Sequence, residues 1–263
     1  MPYYPARAPV DFIFDVLAGR VEGYTTINKF GRAPDGVQTT ATDIWNRADS
    51  TPTQQIWVAP TQARVHAIVS SDGGDTSAGA GAKTVLVYGL TDWDTAETNE
   101  IITMAGVTPV NTVNSYVIIY RMRVVTSGAT ARNIGTITAT AATDSTITSV
   151  MLATEGTTKM AIYGIPSTKC IHLTRISASI QKSSGVAVDA LVRVLVNPEP
   201  DVQLTNFNEN DVHGLQSTGV STHTWEYFPY DTIVGPAIIK MNCISSNADT
   251  DMTAGFAGFL VDN

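Results

Sequence analysis

Charged side chains are scarce in this sequence: they make up 15% of 263 residues, where an average soluble protein has about 25%. Basic residues are scarcer still, 16 against 24 acidic ones, for a net charge of −8. A nucleic-acid binder needs clustered Lys and Arg to neutralise phosphates. Here Arg121-Met122-Arg123 is the densest basic group, so DNA and RNA are not expected as partners. No run approaches the roughly 20 apolar residues of a membrane-spanning helix, so no membrane partner is expected. No long apolar run follows Arg7, so synthesis in a cytoplasm without export is expected. Cysteine is nearly absent. Cys170 and Cys243 both lie in strand-like apolar runs, so two buried, unpaired thiols are expected.

The motifs of catalysis are also missing. There is no Gly-x-Ser-x-Gly elbow and no Walker loop. Gly79-Ala80-Gly81-Ala82-Lys83-Thr84 is glycine-rich but has the wrong spacing and precedes a strand, so a plain loop is expected. His66, His172, His213 and His223 are scattered, and no Cys-x-x-Cys exists, which argues against zinc. Three acidic groups stand out: Asp72 with Asp75; Asp92, Asp94, Glu97 and Glu100; and Asn206 to Asp211. None has the spacing of an EF-hand, and solvated loop acids are expected for each. Neither a catalytic centre, nor a cofactor, nor a metal is expected.

What the sequence has in quantity is threonine and other β-branched residues, as in Thr136-Ile137-Thr138-Ala139-Thr140. Such residues suit a pleated sheet and lose rotamer freedom in a helix. Val186, Val188, Ala190, Val192, Val194 and Val196 occupy alternate positions, the pattern of a half-buried strand that stops at Asn197-Pro198-Glu199-Pro200. Tyr116–Val125 is bulky on both faces and is expected to be a central strand. Further strands are expected over Arg64–Ser70, Thr84–Leu90, Asn99–Met104, Ile134–Thr140, Thr146–Leu152, Lys159–Ile165, Lys169–Ile180, Thr222–Phe228, Ala237–Ile244 and Gly255–Val261. Turns fall between them, at Asp72-Gly73-Gly74, Ser127-Gly128, Ser184-Gly185 and Ser246-Asn247. Many short strands at this spacing predict an all-β protein, a β-sandwich of jelly-roll type, over residues 20–263. Residues 1–19 differ. Prolines surround an apolar centre, and this segment is expected to be an N-terminal arm that docks through Phe12, Phe14 and Leu17, either as a helical turn or two or as a short strand. Trp93, Trp225 and Tyr227 are the candidate aromatics for stacking on a glycan or for packing at an interface.

Several short motifs occur in a characteristic order. Lys29-Phe30-Gly31-Arg32 is followed by Asp43-Ile44-Trp45, Gly79 to Thr84, Gly89-Leu90-Thr91, Asn133 to Ile137, Met160 to Pro166 and Asn197 to Pro200. This order resembles a group of virion structural proteins encoded by tailed phages and common in marine and aquatic collections, over about Gly19 to Asn263. The resemblance implies a particle component with no catalytic residues to carry over. Of the roles open to one, a capsid decoration or cement protein on the particle exterior is the first expectation. Its partners would be the major capsid protein, or other virion proteins, and itself, as a homotrimer. A tail or head-fibre component that binds host-surface glycans is the alternative.

Overall fold

The computed structural model describes residues 9–46, 54–181, 186–218 and 220–263. Residues 1–8 of the expected arm and the turn at Ser184-Gly185 lie outside them. Regular structure among the described residues is nearly all β, with one short helix. The helix is α1, Pro9–Leu17, with proline at its start, where a missing N–H costs nothing. The strands are β1 Tyr24–Val37, β2 Thr42–Asp43, β3 His66–Ser70, β4 Ala82–Leu90, β5 Thr98–Thr103, β6 Val110–Asn111, β7 Ile118–Ser127 and β8 Ile137–Ala141. They continue as β9 Ile147–Met151, β10 Ile162–Ile165, β11 Lys169–Gln181, β12 Val188–Asn197, β13 Asn208–Ser217, β14 Val220–Val234, β15 Ala237–Ser245 and β16 Thr250–Asp262.

Two sheets, β1-β16-β11-β14 and β10-β15-β12-β13, face each other, and β2 adds to β15. Set the short β2 aside and number the other eight strands of these sheets one to eight along the chain. The sheets then read 1-8-3-6 and 2-7-4-5, which is the jelly-roll order. Between them lies a core that includes Ile171, Ile176, Val192, Val194, Met241 and Phe256. The strand expected from alternation is β12, whose Val188, Ala190, Val192 and Val194 point inward.

The connection between the first two jelly-roll strands, β1 and β10, is long and carries a second sandwich. Its sheets are β6-β3-β8-β9 and β5-β4-β7. Its own buried cluster includes Ile68, Val85, Val87, Ile119, Met122 and Ile137. The chain leaves the jelly roll and returns to it at one point, where Trp45 bridges Met160 and the Ala161 N–H donates to the Ile44 carbonyl at 2.9 Å. Residues 20–263, expected as one sandwich, therefore hold two hydrophobic clusters.

Two strand expectations are corrected. Tyr116–Val125 forms β7, but β7 is the end strand of its sheet, not a central one. It is bulky on both faces because it packs between the clusters: Ile118 and Tyr120 belong to the jelly-roll core, Ile119 and Met122 to the second. The acids from Asn208 to Asp211, expected in a loop, begin strand β13.

Candidate docking face

Helix α1 and the long strand β14 line one groove on the outer surface of the β1-β16-β11-β14 sheet. On α1 Val16 is buried, and the Phe12 ring meets Tyr24 and Phe259 with centroids 5.6 and 6.0 Å apart. Ile13, Phe14 and Leu17 remain exposed, Phe14 by 62% and Leu17 by 60%. A groove of about 750 Å³ runs from α1 to β14. Ile13 and Leu17 form one wall, Tyr227, Phe228 and Tyr230 the other, and Phe259 belongs to the lining as well. The Phe228 ring is 95% exposed. Monomeric proteins rarely leave such apolar groups contiguous and wet, and a patch of this kind marks an interaction surface. Beyond the groove, β14 is the end strand of its sheet and exposes Val220 and Val234.

Of the candidate residues, Leu17 and Tyr227 line one groove, and Phe12 and Phe14 stand on the helix beside it. Trp225 lies two residues before Tyr227 on β14, partly buried against the core. Its indole stacks against the His213 ring (4.3 Å, 26°) and the His223 ring (5.6 Å, 23°). Tyr227 is fixed by its own polar tip, which donates to Asp211 Oδ2 at 2.7 Å; His213 Nε2 contacts the same oxygen at 2.8 Å. Desolvation pushes the Asp211 carboxyl up, but hydrogen bonds from Tyr227 and His213 outweigh it and hold the group below its usual range. The Tyr227 phenol is pushed up by burial and by that carboxylate. Trp93 is elsewhere, buried in the jelly-roll core, and offers no exposed ring face. Phe228 and Tyr230 were not singled out in the sequence. The signal was there in Tyr227-Phe228-Pro229-Tyr230, an aromatic run in an otherwise polar strand.

A second feature is a cleft of about 420 Å³ where the jelly roll meets the inserted sandwich, lined by Lys29, Glu97, Tyr120 and Tyr163 among others. Lys29 Nζ is buried and donates to the Tyr120 carbonyl at 2.5 Å. Burial, then the nearby Arg121, push the Lys29 amine well below its usual value. Tyr120 donates to Glu97, and its ring packs 4.6 Å from that of Tyr163. Burial raises both phenols, so they stay protonated. These groups satisfy one another across the joint between the two cores.

The acidic groups also have internal duties. Asp75 is fully buried, not a solvated loop acid. It accepts from Ser70 Oγ and from the backbone N–H groups of Ala82, Ile134 and Gly135 at 2.6–2.8 Å. The glycine-rich Gly79 to Thr84 wraps this carboxylate: a Cβ on Gly81 would stand 2.0 Å from Asp75 Oδ1. Its loop amide at Ala82 is thus spent on Asp75 and not on a phosphate. Glu100 accepts from the N–H groups of Val113 and Asn114, and Asp94 from Ser167 Oγ. Among the described residues no group of three or more His, Cys, Asp or Glu could hold a metal, and no helix is long and apolar enough to cross a membrane. Cys170 and Cys243 are both buried and free, and burial pushes the Cys243 thiol up to about 12.

No family model and no curated protein matches this chain. Among solved structures, the chain is similar to one from the infectious bursal disease virus Gt strain, at 10% identity, over 97% of this chain and 78% of that one, with a TM-score of 0.23. A VP2 subviral particle of the same virus gives 12% identity over 95% and 77%, with a TM-score of 0.18. Scores this low mean that the backbones do not superpose as wholes, and the functional reading rests on the surface of this chain instead.

Proposed function

We propose that this chain is a structural, non-enzymatic subunit of a tailed-phage particle, and that it decorates or cements the exterior of the head. The observation that carries the reading is the exposed apolar face of α1 and β14. A protein this poor in charge gains by leaving Phe14, Leu17 and Phe228 in water only if a partner covers them. The jelly-roll order supports the reading, since that architecture recurs in viral capsid domains, although it also serves lectins and cupins. The order of short motifs in the sequence points the same way. The partner proposed is the major capsid protein or another virion protein, with the chain itself assembling as a trimer so that several weak contacts act together. The alternative, a tail or head-fibre component that stacks on glycans, is less well supported: Trp93 is buried and Trp225 is already stacked on two histidines.

The test is co-sedimentation of the purified protein with particles stripped of it, followed by imaging of labelled protein on the particle. Wild-type protein is expected to pellet with particles and to appear on the head. A Leu17→Asp, Phe228→Asp double variant removes two anchors worth ~1.5–3 kcal/mol each, a weakening of about 100-fold or more. Full binding by that variant would overturn the docking role of this face, and label on the tail would favour the alternative.

A further inference from the structure

Among the described residues, the most deeply buried ion pair lies outside the docking face. Asp43, on β2, is wholly inaccessible, and Lys240, on β15, has a side chain 4% exposed. The two are 197 residues apart in sequence, yet Nζ stands 2.7 Å from Oδ2. Each carboxylate oxygen has a further donor. Asn242 Nδ2 donates to Oδ1 at 2.9 Å, and the Trp57 backbone N–H donates to Oδ2 at 2.8 Å. Asn242 is itself held, since Arg193 Nη2 donates to its Oδ1 at 2.5 Å. The Phe207 ring caps the amine, with Nζ 4.1 Å from its centroid.

This is an amine and a carboxyl pressed together where water does not compete, with a hydrogen-bond donor on each oxygen. We propose that Lys240 and Asp43 condense to an intramolecular amide, a covalent cross-link between β15 and β2. One proton passes from the Nζ ammonium to Oδ2, giving a neutral amine and a carboxylic acid. The Nζ lone pair attacks Cγ, and the charge that develops on Oδ1 faces the Asn242 N–H, the arrangement of an oxyanion hole. A second proton passes from Nζ to Oδ2. The Cγ–Oδ2 bond breaks, and Oδ2 leaves as water beside the Trp57 N–H. One C–N bond forms, one C–O bond breaks, and nothing is oxidised or reduced. The pair supplies both protons, so no external base is required. Holding the reactants in contact provides the effective concentration that an amide condensation in water lacks.

The test is denaturing mass spectrometry of the full chain as purified, with Met1 present or removed. The expected mass is one water below that of the sequence. Protease digestion is expected to release a branched peptide that joins the segments around Asp43 and Lys240. Lys240→Arg keeps the charge and removes the nucleophile, so it is expected to have the full mass. A full-length mass in the wild type would overturn the proposal. So would a water loss that persists in Lys240→Arg, or linear peptides covering both residues in the wild type.

Discussion

His66 is the residue with the clearest cost of burial. It is fully inaccessible on β3; its Nδ1–H donates to the Arg64 carbonyl at 2.9 Å, and Nε2 has no hydrogen-bond partner among the described residues. Desolvation lowers its pKa from 6.5 to about 4, against smaller opposing effects of the Arg64 carbonyl and Asp144. The unfolded chain therefore binds the proton first as pH falls. Stability from this residue is complete above about 6.5 and is lost between 6.5 and 4, at up to ~1.4 kcal/mol per pH unit. Urea unfolding across that range should show the loss in wild type, and His66→Asn should flatten the corresponding part of the curve. Glycines give a second residue-scale test. A Cβ on Gly31 would stand 2.3 Å from the Ile44 carbonyl oxygen and 2.5 Å from the Ala161 nitrogen, at the point where the inserted sandwich leaves and rejoins. Gly31→Ala should cost about 1–3 kcal/mol or more, as overpacking does. Gly214 on β13 has nothing within 4 Å of a built Cβ, and Gly214→Ala should change stability by no more than about 0.5 kcal/mol in thermal unfolding.

At the scale of elements, α1 and β14 divide stability from association. Phe228 contributes a ring to solvent and almost nothing to the core, so Phe228→Asp should leave the unfolding free energy within about 0.5 kcal/mol of wild type while weakening particle binding. Removal of residues 1–18 should likewise leave the circular dichroism spectrum all-β and abolish attachment; full attachment of the truncated chain would end the docking role of α1. How legible these elements were depends on their inward-facing residues. β12 places Val188, Ala190, Val192, Val194 and Val196 at alternate positions and could be read directly. β1 is hard to read from the sequence because its inward positions are Ile27, Lys29, Gly31 and Ala33, a lysine and a glycine where a hydrophobic pattern is sought. β13 was missed for a related reason: it is an end strand, and polar side chains at its start serve β14 instead of a core, Asn210 donating to Asp231 and Asp211 accepting from Tyr227. The apolar group from Phe12 to Leu17 was legible by composition, but that it lies on a helix with Phe12 against Phe259 was not, since Phe259 lies at the far end of the chain.

For the whole molecule, the question is whether two cores behave as one. Leu90, Trp93, Ile118 and Tyr120 come from the inserted segment yet belong to the jelly-roll cluster. The β7 strand is shared, and Lys29, Glu97, Tyr120 and Tyr163 close the joint. Separation of the two sandwiches would expose all of these groups at once, so calorimetry should record a single transition with equal calorimetric and van't Hoff enthalpies. Two resolved transitions would show that the joint is weaker than either core.

The sequence by itself determined what depends on neighbours along the chain: the β propensity, the strand alternation, the turns at glycine, asparagine and proline, the acidic charge and the lack of spaced metal ligands. Tertiary structure decided what depends on distant partners. It placed a second sandwich within one jelly-roll connection, buried Asp75 in its own loop, set Leu17 and Phe228 on one groove, and brought Asp43 to Lys240 across 197 positions. The reason is that periodicity records which face of an element is apolar, whereas the choice of partner for that face is made by closing loops and filling volume across the whole chain.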